Sequence, residues 1–184
     1  MSGQLAHTPD AGVLEALAYD RQTLCEVRSS PSAVSAVPES TDYLYPGQLF
    51  ASPEPSTVMT VLGSCVAVCL WDAEAGVGGL NHYLLPRGIG QGMSALRYGS
   101  LAVPELIRRV LAFGARPSCI RAKIFGGACL NGDGAGRLSR ENIEIARDCL
   151  AQALIPVVAE SVGGHFGRKL LFRIPDGDVW VKTV

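Results

Sequence analysis

The sequence predicts one mixed α/β domain of layered type, and three observations predict it. Short apolar runs bounded by Gly, Pro and Asp alternate with two amphipathic helical patterns, in the order strands, helix, strand, helix, strands. The 184 residues suffice for one well-buried core and are few for two. Hydrophobic residues make up 48% of the chain and charged ones 18%, a balance that supports a substantial core.

Residues 1–40 stand apart. They end in SSPSAVSAVPEST, a tract of small, polar and proline residues too poor in apolar surface to fold, and read as a flexible N-terminal tail in front of a domain at 41–184. A short apolar patch at 13–17 is compatible with one docked helical turn. The start, MSGQLAHTPDAG, has neither a basic segment nor an apolar signal core, and no apolar stretch approaches the roughly 20 residues that cross a bilayer. The expectation is a cytoplasmic protein with no direct membrane insertion.

From Tyr43 the texture changes. YLYPGQLFAS reads as an extended segment, and TVMTVLGSCVAVCLWD as a strand, a break at Gly63-Ser64 and a second strand over 66–71. That second run is apolar at consecutive positions, which predicts cover on both faces. Asp72 to Gly76 turn the chain and 77–85 return as a hairpin partner. Val103, Leu106, Ile107, Val110 and Leu111 share one helix face, and Gly114 supplies a left-handed stop. Pro104 belongs in the first turn of that helix or kinks one begun nearer Arg97. A strand at 120–125 ends in Gly126-Gly127. Ser139 is then suited to cap a helix whose Ile143, Ala146, Leu150 and Leu154 share a face, and Pro156 closes it. VVAES, KLLFRI and DVWVKT complete the strands, the last two joined by a turn at 175–177.

Sixteen basic and seventeen acidic side chains leave a net charge of −1, so no strong field draws the protein to nucleic acid or an anionic membrane. The six cysteines, Cys25, Cys65, Cys69, Cys119, Cys129 and Cys149, lack tight spacing and are expected as free thiols in a reducing compartment. His7, His82 and His165 form no HxxxH pair and accompany no CxxC, so no metal site is expected. Asp133 stands alone in NGDGAG, without the partner carboxylates of a calcium loop.

Two residues carry possible chemistry. Cys65 follows a tight Gly-Ser turn and precedes a buried strand, where backbone N–H groups can converge as an oxyanion hole. It also fits a small apolar core residue. His82 lies on the returning hairpin strand, and an imidazole beside a thiol can take its proton and lower its pKa from about 8.5, although a satisfied core histidine fits the same pattern. Cys69 is four residues on from Cys65, about 13 Å at strand rise, and reads as core. Cys129 reads as a loop thiol. Asn81 beside His82, and Gly126 and Gly127, which allow close backbone approach, are candidate substrate contacts, as is Ser64 through its backbone N–H. His165, with Arg168 and Lys169, fits a polar rim or a solvated turn.

The run T-V-L-G-S-C-V-A-V-C-L-W-D at 60–72, followed by G-G-L-N-H-Y-L-L-P at 78–86, resembles the signature of the chemoreceptor glutamine deamidase family, CheD. The likeness continues through R-Y-G (97–99), A-K-I-F-G-G-A (122–128), R-E-N (140–142), I-P-V-V-A-E (155–160), G-G-H-F-G-R-K (163–169) and V-W-V-K (179–182), and so spans 43–184. The resemblance implies a three-layer α/β sandwich, with Cys65 as nucleophile and His82 as base. A threonine upstream of the cysteine is the third member. Thr60, five residues before Cys65, is the candidate and Thr57 the alternative, because relatives with the threonine six before would match Met59 here. The implied reaction is hydrolysis of glutamine side chains on methyl-accepting chemotaxis receptors, with ammonia released and a thioester intermediate, needing no cofactor. The alternatives are an adaptor that binds receptors or a CheC-type phosphatase, and a transglutaminase-type transfer through the same thioester.

Overall fold

Period-two alternation along the strands sorts the side chains onto two sheets and three layers. The computed structural model describes residues 25–27, 41–129, 135–174 and 176–184. Ten strands are β1 (Cys25–Val27), β2 (Thr41–Tyr43), β3 (Gln48–Ser52), β4 (Ser56–Leu62), β5 (Val66–Asp72), β6 (Val77–His82), β7 (Arg121–Gly126), β8 (Val157–Val162), β9 (Arg168–Ile174) and β10 (Val179–Thr183). Helix α1 (Gly99–Ala112) follows a 3-10 segment (Gly92–Arg97), and α2 (Ala135–Gln152) lies between β7 and β8. The outer sheet has the order β1-β10-β9-β4-β2 and the central sheet β3-β6-β5-β7-β8. Each mixes directions, through the parallel pairs β2 with β4 and β7 with β8.

Between the sheets, Val58 and Leu62 of β4 and Leu170 and Phe172 of β9 meet Ala67, Cys69, Leu80 and Phe125 of the central sheet. The central sheet's other face carries Val66, Val68, Leu70 and Ile124, packed with Leu106, Val110, Ala146 and Leu150 of the helices. The fold is therefore a three-layer mixed α/β sandwich, as predicted. Strand β5 is buried along its whole length, which explains its unbroken apolar run.

Several local expectations change. Three residues of the stretch read as a tail, Cys25–Val27, pair antiparallel with β10. The patch at 13–17, Asp133 and Pro175 lie outside the described residues. Pro104 falls in the second turn of α1, on its exposed side. Gly114, at φ +103°, ends α1 as expected. Ser139 does not cap α2, which starts four residues earlier. Its hydroxyl instead donates to the Ala128 carbonyl at 2.9 Å. Leu154 leaves the buried face predicted for it: at φ +56° it makes the left-handed turn after α2 and is 88% exposed. That turn brings Ile155 inward, its N–H donating to Leu150 O at 2.9 Å.

Asp72 closes the β5–β6 hairpin from beneath. Its carboxylate accepts the N–H groups of Glu74, Ala75 and Arg116 at 2.9 to 3.1 Å. Burial pushes its pKa up, but those N–H donors outweigh burial and hold it below its ordinary value.

Candidate active site

β4 and β5 belong to different sheets, so the three residues between them must cross from one layer to the other. Cys65 is the last of the three. Its side chain is half-buried against the core between the sheets. The crossing is held from below by the end of β7: Gly127 N–H donates to Cys65 O and Ala128 N–H to Gly63 O, both at 2.8 Å.

Those bonds require glycine. Gly126 and Gly127 have φ of +104° and +67°, and a Cβ on Gly126 would stand 2.2 Å from Cys65 O. The expected close approach is made by Gly126 to the backbone of Cys65.

His82 ends β6 and is buried. The pairings Cys69 with Leu80 and Val66 with Tyr83 share one register, in which Ala67 is opposite His82, and Cys65 lies one residue past the last bridge. Cys65 precedes Val66 and His82 precedes Tyr83, so the two residues flank the bridge that joins these segments.

Thr60 meets His82 from the opposing sheet. Along β4 the inward positions are Val58, Thr60 and Leu62, so Thr57 and Met59 lie on the other face. The Thr60 hydroxyl donates to Leu44 O at 2.7 Å and lies 2.8 Å from His82 Nδ1. A hydroxyl has one proton, and with it committed to Leu44 the Thr60 oxygen accepts from Nδ1–H. The neutral imidazole then carries its lone pair on Nε2, the atom that takes no hydrogen bond among the described residues. The main chain of His82 is held from the same loop, since Gly47 N–H donates to His82 O at 2.7 Å.

Burial moves both Cys65 and His82 toward neutrality. It pushes the Cys65 thiol up, against the opposing pull of its own backbone N–H, and brings His82 down to about 4, against a hydrogen bond at the Leu44 carbonyl. Burial thus works against the lowered thiol pKa that a neighbouring imidazole would give. The reason is desolvation: neither charge of an ion pair is favoured where both partners leave water.

Other sequence candidates take different places. Asn81 is fully buried, and its Oδ1 accepts the Val68 N–H at 2.9 Å, filling a gap in the β5–β6 ladder. Ser64 stays partly accessible at the crossing. Cys69 is fully buried, and burial pushes its thiol well up. Cys129 donates its N–H to Gly164 O and receives His165 Nδ1 at its carbonyl, 3.3 Å away, which joins two loops beside the crossing.

Sequence reasoning missed the Leu44 carbonyl and Asn142. A backbone acceptor leaves no mark in a sequence. Asn142 did leave one, a polar residue on the helix face shared by Ser139 and Ala146, and it is fully buried.

The α/β sandwich thus carries a half-buried cysteine at a sheet-to-sheet crossing and a histidine bonded to a threonine of the opposite sheet, residue types that acyl-transfer sites use. The family model described as CheD chemotactic sensory transduction matches residues 84–183, more than half of the chain. A protein of Anaeromyxobacter dehalogenans named probable chemoreceptor glutamine deamidase CheD 1 is 49% identical over 144 residues, 77% of this chain and 84% of that one. Proteins named probable chemoreceptor glutamine deamidase CheD from Trichlorobacter lovleyi and Sulfurimonas denitrificans are 44% and 40% identical, over 74% and 77% of this chain and 86% and 93% of theirs. The crystal structure of the Bacillus licheniformis hypothetical protein YfiH is similar at a TM-score of 0.40 and 17% identity, over 73% of this chain and 60% of that one. The chain belongs to the CheD family.

Proposed function

We propose that this protein is a cytoplasmic protein-glutamine deamidase acting on chemoreceptors, with Cys65 as nucleophile, His82 as base and Thr60 as the residue that orients the imidazole. The observation that carries the reading is the bond from His82 Nδ1 to Thr60, backed by Leu44 O, which leaves Nε2 as the basic atom on the face that Cys65 shares. Residues 41–184 carry the activity, with β1 adding an edge strand.

Because burial works against the charged form of both groups, proton transfer accompanies attack. Nε2 takes the thiol proton as Sγ bonds to the glutamine amide carbon, and the oxyanion would be met by the backbone N–H groups of Ser64 and Cys65. The imidazolium gives its proton to the departing nitrogen, ammonia leaves and a thioester remains. Water, deprotonated by Nε2, cleaves the thioester to glutamate and restores the thiol. A crossing loop at the surface suits a substrate that is itself part of a protein.

The raised thiol is the one observation that favours the adaptor reading, in which the chain binds receptors or a CheC-type phosphatase without turnover. One experiment separates the two. Incubated with a receptor cytoplasmic fragment, the wild-type protein is expected to produce the mass gain of Gln to Glu, and Cys65→Ala none. Binding of the fragment without a mass gain would leave the adaptor reading standing in its place.

A further inference from the structure

The β5–β6 ladder, whose end carries both reacting groups, is interrupted twice, and each interruption is filled by an asparagine side chain. Within the ladder the Asn81 Oδ1 takes the Val68 N–H. Past the ladder's last bridge, Val66 with Tyr83, the strands separate, because Leu84 N–H turns away to Arg97 O. There a residue from a different layer joins them. Asn142 of α2 donates through Nδ2 to Ser64 O at 3.2 Å and to Leu84 O at 2.9 Å.

We propose that Asn142 is a positioning residue for catalysis, setting the distance between nucleophile and base. The proposal rests on the reading of Cys65 and His82 as the reacting pair. Ser64 immediately precedes Cys65, and Leu84 is two residues beyond His82. The two carbonyls therefore belong to the two segments whose separation decides whether Sγ reaches Nε2. A primary amide nitrogen carries two hydrogens diverging in one plane, so it can serve two carbonyls at once. A hydroxyl has one proton to give, and a carboxylate none. Asn142 is itself held in place: it is fully buried, and the Tyr83 hydroxyl donates to its main-chain carbonyl at 2.5 Å. Tyr83 is the residue after His82, so α2 grips the histidine strand at two points. The Asn142 Oδ1 has no partner among the described residues. A buried polar group with half its hydrogen-bonding capacity unused is costly as a packing device, which favours a reason tied to the two bonds it does make.

The test compares Asn142→Ala with wild type and with Leu150→Val, a trimmed core position of the same helix that bonds neither carbonyl. On a receptor fragment, Asn142→Ala is expected to lower kcat about 30-fold with KM nearly unchanged, the scale set by a misplacement of about 1 Å. Leu150→Val should keep its kcat when assayed well below its Tm. The second readout needs no substrate: the rate of Cys65 alkylation by iodoacetamide as a function of pH. Asn142→Ala should lose the His82-dependent part of that profile and approach His82→Ala. If Asn142→Ala does not fold, Asn142→Ser, which keeps one donor, is expected to show a smaller loss of the same kind. A kcat within twofold of wild type and an unchanged alkylation profile would overturn the proposal. Absence of deamidation by wild type would remove the reaction reading instead, and the alkylation comparison would still decide the role of Asn142.

Discussion

At the scale of single residues, the site turns on which face of β4 a threonine occupies. Thr60 and Thr57 cannot be told apart by counting back from Cys65, because the count crosses a bend between two sheets and loses its period-two meaning there. The structure separates them by register: Thr60 touches His82, while the Thr57 hydroxyl, on the other face, is buried without a partner among the described residues. Thr60→Val should therefore cost about 100-fold in kcat, since Nδ1–H loses its acceptor and the imidazole its preferred tautomer. Thr60→Ser should keep most of the rate, and Thr57→Val, which removes only an unpaired hydroxyl, should keep all of it and melt no lower than wild type. Steady-state kinetics on a receptor fragment, with thermal melts, measure all three. An equal loss in Thr57→Val and Thr60→Val would contradict the assignment.

At the scale of elements, the hairpin β5–β6 and both helices were legible because each is built from contiguous residues whose apolar spacing reports burial. The junctions were less so. Gly126-Gly127 was visible as a turn, but the object it turns against, the carbonyl of Cys65, lies just before β5, a strand that pairs with β7 from far away in sequence. Leu154 was misread for a related reason: a helical period continues on paper past the residue where the helix ends, and only the left-handed turn at Leu154 sends that side chain outward. Gly126→Ala tests the junction. Its methyl would overlap Cys65 O in a backbone conformation alanine avoids, so the variant should lose about 3 kcal/mol of stability. Urea unfolding measures that loss, and activity should fall further than a similarly destabilised core variant would lose.

At the scale of the whole molecule, the order of layers was not written in the sequence. The alternation shows that β5 is covered on both faces but not that a second sheet covers one of them and helices the other. Burying the histidine between sheets has a cost that depends on pH. His82 binds a proton near 6.5 when unfolded and only near 4 when folded, so the unfolded state takes up more protons in between. Stability from this group is complete above about pH 6.5 and is lost as pH falls toward 4, by about 2 to 3 kcal/mol at pH 4.5. Unfolding free energies at pH 7 and 4.5 should show that drop in wild type, and His82→Gln should flatten it. The chain's two tryptophans sit at different depths in the layered fold: Trp71 is buried between the sheets with the Lys123 ammonium 5.1 Å from its ring, and Trp180 is partly exposed on β10 beside the Arg173 guanidinium. They form a built-in optical pair. Iodide should quench Trp180 while Trp71 stays dark to it, so fluorescence can follow the parting of the two sheets separately from events at the outer edge.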